Sequence, residues 1–425
     1  MKVCLLSYSD GRGGGYAAAY RLHQGLLQAN VDSTMLVGYK TRDDITVLSK
    51  ETKLAQARAK ILPSLDALAI KLLYPKRVPT VYSLQWVPDT LSSRVAQLKS
   101  DILNLHWVYG GFLQIESVAK FNQPIVWTLH DMWAFTGGCH YNQECNRYTK
   151  SCGACPQLGS HQDKDLSHWV WQRKAKAWRD LNLTIVTPSH WLAQCTHSSS
   201  LFKNARIEVI PNGLDSWQYK PVDQRLARER LNLPQDKHLV LFGALNAASD
   251  PRKGFHLLQP ALRNLTQSGC CEGIELVIFG ASQPSHPADL GFKCHYLGKL
   301  NDDISLALVY AAADVFVAPS TQDNLPNTVM EALACGTPCV AFKIGGMPDM
   351  IEHQQNGYLA RPFEVDDLAK GILWVLEDKD RWIKLGNRAR EKAELEFTQE
   401  LQASRYLSLF TEIVSKYRKE KAKLS

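Results

Sequence analysis

Short runs of β-branched and apolar residues alternate with amphipathic stretches along nearly the whole chain. In the first half the runs fall at Val3–Ser7, Thr34–Val37, Ile102–Leu105, Ile125–Leu129, Thr184–Thr187 and Glu208–Ile210. Helical periodicity fills intervals such as Tyr16–Ala29 and Phe112–Phe121. Continuous apolar strands spaced by helices predict a parallel sheet covered on both faces. Turn chemistry at Pro211-Asn212-Gly213 interrupts the pattern, and polar, charged sequence follows to Lys237. The alternation then restarts at Leu239–Phe242, Glu275–Phe279, His295–Leu297, Val315–Ala318 and Cys339–Phe342. From Asp380 to about Arg418 the chain reads as helix throughout.

At 425 residues the chain exceeds what one hydrophobic core usually covers. The predicted fold class is therefore α/β, with two Rossmann-like domains and a C-terminal helix crossing back to the first. The expected divisions are 1–215, a linker over 216–236, a second domain over 237–395, and a helical segment over 396–425. Doubly wound sheets bind ligands outside the carboxyl ends of their strands. Two such ends facing each other would enclose a cleft, a preferred place for a site.

The hydrophobic fraction of 45% and charged fraction of 21% are those of an ordinary globular protein. The first residues lack the pattern of a secretory signal, and no apolar run reaches the ~18 residues of a membrane span. The expected location is the cytoplasm. The formal net charge is +7, yet no nucleic-acid-binding motif accompanies it, so nucleic acid is not an expected partner. Lys53, Arg58, Lys60, Lys71, Lys76 and Arg77 stand among Leu, Ile and Ala. A basic amphipathic helix of this kind suits peripheral contact with an anionic membrane face. A core-facing helix with a solvated basic face, or a basic rim around a binding groove, gives the same pattern.

Three strings carry candidate chemistry. Gly11-Arg12-Gly13-Gly14-Gly15 follows the first strand and opens a helix, so the backbone can approach a bulky anion there. A tight turn would explain it equally, since the G-x-G-x-x-G spacing is absent. Asp250-Pro251-Arg252-Lys253-Gly254 pairs two cations with a glycine ahead of a helix, which suits a diphosphate. The third string runs from Pro319 to Pro338. It places Asp323 in a loop after a strand and Glu331 one turn into a helix. Between them, backbone N–H groups from Leu325 to Asn327 and Thr328 meet the helix start. That segment offers an anion site flanked by two carboxylates able to accept hydroxyl hydrogen bonds.

The third string resembles the carboxylate-x7-carboxylate signature of retaining, family-4-type glycosyltransferases of the GT-B fold. Arg252-Lys253-Gly254 is similar to that family's phosphate motif, Ile210-Pro211-Asn212-Gly213-Leu214-Asp215 to its hinge, and Gly13-Gly14 to its N-terminal glycine pair. Trp127 to Trp133, Phe135 to Tyr141 and Asn324 to Glu331 resemble a bacterial exopolysaccharide or colanic-acid-type subgroup. The resemblance runs nearly end to end. It implies transfer of a hexose-type sugar from a UDP- or GDP-sugar to a saccharide or lipid-linked saccharide acceptor, with retention and without a required cofactor. It further implies roles. Arg252 and Lys253 would neutralise the leaving nucleoside diphosphate, Glu331 would hold the ribose, and Asp323 the donor sugar. His130 would line the reacting centre, and Gly14 and Gly15 would close over phosphates or sugar.

Two departures bear on these roles. Asp323 stands where the family usually has Glu, and Ala244 where it often has Arg. A non-catalytic donor-binding or scaffolding member of a polysaccharide-assembly complex is the alternative reading. Separately, four of the 11 cysteines, Cys139, Cys145, Cys152 and Cys155, cluster beside His140. A C-x2-C pair in a reducing compartment predicts a structural zinc site. Buried free thiols, redox pairs or an iron–sulfur cluster are the other readings of the same residues.

Overall fold

The computed structural model describes residues 1–49, 52–243, 250–267, 273–280, 290–300 and 302–423. Ala244 and the pair Cys270-Cys271 lie outside the described residues. The chain divides into two compact units, Met1–Ile210 with Gln402–Ser425, and Pro211–Leu401.

The first unit is built on β1 (Lys2–Ser9), β2 (Asp32–Tyr39), β3 (Val47–Leu48), β4 (Ile102–Leu105), β5 (Ile125–Thr128), β6 (Leu183–Thr187) and β7 (Arg206–Val209). Their order across the sheet is β3-β2-β1-β4-β5-β6-β7. All adjacent pairs are parallel. Val3, Leu5, Val126 and Val186 face one side, where Ala19, Leu22, Tyr406 and Phe410 cover them. Leu103, Leu105, Trp127 and Ile185 face the other, against Trp133, Trp178 and Phe202. The C-terminal helix Gln399–Ala422 thus returns to the first sheet. Arg206 holds it through Glu412, and Tyr406 through Thr128.

The second unit carries β8 (His238–Gly243), β9 (Ile274–Phe279), β10 (Cys294–Gly298), β11 (Val315–Ala318), β12 (Cys339–Phe342) and β13 (Gly357–Ala360). Their order is β10-β9-β8-β11-β12-β13, again all parallel. Residues 216–236 pack with this unit and include the helix Gln224–Arg230. Arg228 in that helix pairs with buried Asp314 at 2.7 Å.

Three local details differ from the sequence pattern. Phe112–Phe121 forms a 3₁₀ segment over Ile115–Lys120 in place of an α-helix. Its periodicity is satisfied in part by a loop, with Trp178 Nε1 donating to the Ile115 carbonyl at 2.9 Å. The C-terminal helical run breaks at Phe397–Thr398, where the Leu214 N–H donates to the Phe397 carbonyl. The strands Val47–Leu48 and Gly357–Ala360 carry too few apolar residues to stand out by pattern.

Candidate active site

In the second unit the phosphate-type turn and the two-carboxylate string are hydrogen-bonded into one structure. Asp250 caps the turn, its Oδ1 accepting from the Arg252 N–H at 3.0 Å. The turn Pro251–Lys253 ends on Gly254 at φ +72°, where a side chain would collide with the Pro319 carbonyl. The Thr321 N–H then donates to the Arg252 carbonyl at 2.8 Å. Glycine is therefore required at this junction both for its backbone conformation and for the close approach.

That junction sets Lys253 Nζ 2.7 Å from Asp323 Oδ2. Asp323 is buried, and burial alone would raise its carboxyl. The charges of Lys253 and Arg252 more than offset this, leaving it below the ordinary carboxylate range. Arg252 itself reaches Asp250 at 2.7 Å. Gly346 N–H donates to the Asp323 carbonyl at 3.1 Å, so the glycine turn after β12 also braces this loop.

Eight residues on, Glu331 is buried in the helix Asn327–Ala334 and accepts from Tyr310 Oη at 3.1 Å. Tyr310 was not legible as a site residue, because its contact comes from a different helix. The helix begins at Pro326 with no side-chain cap, which leaves the N–H groups of Asn327 and Thr328 at its start. Leu325 is buried behind them, and Asn212 Nδ2 reaches Asn327 Oδ1 at 3.5 Å.

In the first unit, Gly13 precedes the helix Gly14–Gln28 without a side-chain cap, and Gly14 has φ +45°. A Cβ on Gly15 would stand 2.9 Å from His130 Cγ, so only glycine lets the helix start approach that ring. His130 follows β5 and lies edge to edge with His106, ring centroids 5.3 Å apart and the facing ring nitrogens 3.0 Å apart. Burial brings its imidazole down to about 4, against the pull of neighbouring Asp131. It is thus neutral at physiological pH.

Asp131 organises the loop behind His130. It accepts from Trp107 Nε1 at 3.0 Å, His140 Nδ1 at 2.7 Å and the Trp133 N–H at 2.9 Å. Lys174 is fully buried and donates to the carbonyls of Trp133 and Thr136, its Nζ 3.4 Å from the Trp133 ring centroid. Burial holds Lys174 well below the usual lysine range. Asp131 lies in the Trp127 to Trp133 string, whereas Lys174 carried no motif.

The structure gives no support to the expected zinc site. Among the described residues no group of three His, Cys, Asp or Glu side chains is placed to hold a metal ion, and Cys139, Cys145, Cys152 and Cys155 are free thiols. Burial raises Cys152 to about 12 and pushes Cys139 and Cys155 up. His140 is spent on Asp131 and on Ser83 Oγ at 3.0 Å. The loop is stiffened by Lys174 and by Asp165, which accepts from the Cys155 N–H at 2.8 Å.

Two parallel, doubly wound sheets with charged and glycine turns at their carboxyl ends place the chain in the α/β class with two Rossmann-like domains, the GT-B fold. Comparison with known proteins narrows the class. Glycosyltransferase Family 4 matches residues 12–218, and Glycosyl transferases group 1 matches residues 236–378. The chain belongs to this family of glycosyltransferases. It is 24% identical to the putative colanic acid biosynthesis glycosyl transferase WcaC of Escherichia coli K12, over 80% of this chain and 83% of that one. The structure of a sucrose-phosphate synthase from Thermosynechococcus elongatus matches with a TM-score of 0.70 at 19% identity, covering 98% of this chain and 99% of that one. Anabaena HepE in complex with UDP-glucose matches with a TM-score of 0.61 at 17% identity, covering 97% of this chain and 100% of that one.

Proposed function

We propose that this glycosyltransferase moves a hexose from a nucleoside diphosphate sugar, with a UDP- or GDP-sugar as donor, to a saccharide or lipid-linked saccharide in exopolysaccharide assembly. The observation that carries the reading is the Lys253–Asp323 pair, held at 2.7 Å by the stapled Arg252–Gly254 turn. A cation fixed on a rigid turn can meet the diphosphate as negative charge develops on it, without reorganising. Asp323 accepts hydroxyl hydrogen bonds from the donor sugar. Glu331, oriented by Tyr310, does the same for the ribose. Protein cations supply the charge that a metal would supply elsewhere, and the anomeric configuration is retained. The likeness to WcaC supports the polysaccharide setting, and the UDP-glucose complex of HepE supports a hexose donor.

The test is a thermal-shift series with UDP, GDP, ADP and their hexose conjugates on the wild type and on Lys253→Ala. A shift selective for one base, lost in the variant, is the expected result. Binding without turnover on any saccharide acceptor would instead favour a donor-binding scaffold, the alternative that Asp323 in place of Glu motivates.

A specific observation adds a place of work. Among the described residues no helix is long and apolar enough to cross a membrane. Yet along the helices Lys53–Asp66 and Leu68–Leu73, Ile61, Leu65, Leu68, Leu72 and Leu73 are exposed, Leu72 by 71%. Exposed Lys60, Lys71 and Lys76 accompany them. Apolar side chains beside cations suit the headgroup region of an anionic bilayer. We infer peripheral contact with the cytoplasmic membrane face, where a lipid-linked acceptor would lie. Sedimentation with phosphatidylglycerol vesicles, lost in a Leu72→Asp, Leu73→Asp variant and absent with phosphatidylcholine, is the expected outcome. Equal sedimentation of variant and wild type would remove the proposal.

A further inference from the structure

A cavity of about 290 Å³ opens in the first unit, between the helix Lys53–Asp66 and the start of the helix Leu91–Leu98. Arg58, Ala59 and Leu62 line it from the first helix, Leu91 and Arg94 from the second. Phe112, in the loop after β4, lines it as well. That loop is pinned by Gln85, which is fully buried at φ +49°. A residue with a side chain holds that conformation only when its surroundings fix it. The Gln85 amide donates to the Val108 and Leu113 carbonyls at 2.7 and 2.8 Å and accepts from the Gly111 N–H at 2.6 Å. The cavity is therefore formed before any ligand arrives.

Its charges are unequal. The lining holds two guanidinium groups and one carboxylate, Asp89. Asp89 is spent on the backbone, Oδ1 accepting from the Leu91 N–H and Oδ2 from the Gln114 N–H, each at 2.7 Å. Arg58 Nη2 donates to the Pro88 carbonyl at 3.3 Å. Arg94 is half-buried, and burial works against its charged form. Among the described residues no carboxylate pairs with it. A cation withdrawn from water without a counter-ion costs the fold free energy. An anion in the cavity would remove that cost, and its oxygens could meet both guanidinium forks. The other walls, Leu62, Leu91 and Phe112, are apolar and suit a hydrocarbon attached to the anion. The same helix presents exposed Ile61 and Leu65 on its neighbouring face, so the cavity lies beside the surface already read as meeting the bilayer.

We infer that this cavity binds the phosphate group of a prenyl-phosphate-type lipid, with Arg58 and Arg94 on the phosphate oxygens and Leu62 and Leu91 against the first carbons of the chain. The anion site stands on the cavity and its two arginines. That the lipid is the anchor of the sugar acceptor rests on the functional reading above.

The test is calorimetric titration of the full chain with farnesyl phosphate, farnesol and inorganic phosphate. Farnesyl phosphate should bind at least ~10-fold more tightly than either of the others, since only it engages both the arginines and the apolar wall. Arg94→Gln and Arg58→Gln should each weaken it ~10-fold, the scale of one lost charge-assisted hydrogen bond. Arg58 is exposed, so its variant decides the matter should Arg94→Gln fail to fold. Leu72→Asp, Leu73→Asp should bind farnesyl phosphate as the wild type does. Farnesol binding as tightly as its phosphate would overturn the anion role, and inorganic phosphate binding as tightly would overturn the lipid. No binding, or equal affinity in wild type and both arginine variants, would overturn the site. Loss confined to Leu72→Asp, Leu73→Asp would overturn it too, by placing the ligand on the exposed apolar patch. A chain that transfers sugar to a free saccharide but ignores farnesyl phosphate would sink this inference and leave the functional reading standing. A chain that binds farnesyl phosphate through Arg58 and Arg94 but no nucleotide sugar would do the reverse.

Discussion

The two units present opposite kinds of site. In the second unit the chemistry is ionic. Lys253 and Asp323 meet at 2.7 Å, Arg252 adds a second cation, and Glu331 a second carboxylate. In the first unit His130 and His106 are neutral imidazoles hydrogen-bonded toward Asn104 and Thr128, with the Asp131 carboxylate beside them. Charge is suited to a diphosphate leaving group, whose burden of negative charge grows in the reaction. Neutral donors and acceptors are suited to hydroxyls, which carry none. The contrast implies that mutations in the second unit should change the rate of the chemical step most, and those in the first should change which hydroxyl is presented and how well.

The largest effect should come from the ionic side. Lys253→Ala and Glu331→Ala are each expected to reduce turnover by ~100-fold or more, the scale of one strong electrostatic contact to a transition state. Initial rates at saturating donor would show it. Near-wild-type rates in both would mean that the second unit does not hold the diphosphate sugar as assigned. Asp323→Glu sharpens the point. If the shorter carboxylate is a working variant of the family pattern, the longer one should keep at least about a tenth of the activity, a loss within roughly 1.4 kcal/mol.

A smaller effect should come from the backbone joints. Gly254→Ala forces a side chain into the Pro319 carbonyl at φ +72° and separates the turn from the loop. A loss of about 1–3 kcal/mol in stability is expected, read from chemical denaturation. Gly15→Ala, with its Cβ 2.9 Å from His130 Cγ, should leave global stability nearly intact and lower turnover about 10-fold by displacing the ring. The comparison breaks if Gly15→Ala is silent, because the first unit would then tolerate a misplaced imidazole.

The same contrast governs what could be read from the sequence. The ionic site was written in linear motifs. Arg252 with Lys253, and Asp323 with Glu331, form two short, chemically conspicuous motifs. Most strands were legible because each is a buried run such as Val315–Ala318, continuous in apolar residues. The hydrogen-bonded network around His130 was not legible, although His130 itself was named. Asn104, His106 and Thr128 are ordinary residues at strand ends, and only the pairing of β4 with β5 sets them side by side. Tyr310 and Lys174 escaped for the same reason, since each acts across helices or loops distant in sequence. The cysteines differ again. Their C-x2-C spacing is a local signal, but burial and a prior hydrogen-bond network around Asp131 and Lys174 decide their state.

The smallest expected effect separates the units by acid. A histidine that is neutral when folded and has its pKa lowered to about 4 binds its proton first in the unfolded chain, whose value is near 6.5. Its stabilising share is complete above that value and is lost as pH falls toward 4. Buried His23, bonded to Ser33 and Thr46, is also lowered to about 4 and adds to the loss in the same unit. Asp323 runs the other way in kind but not in sign. Its carboxyl lies below its ordinary value when folded, so its contribution persists until pH falls below the carboxylate range. Between pH 6.5 and about 4 the first unit should therefore loosen ahead of the second. Amide exchange followed across that window should rise in β1, β4 and β5 before β8, β11 and β12, and a His23→Gln variant should flatten the difference. Exchange that rises first in the second unit would show that its ion pair, and not the neutral imidazoles, is the acid-sensitive element.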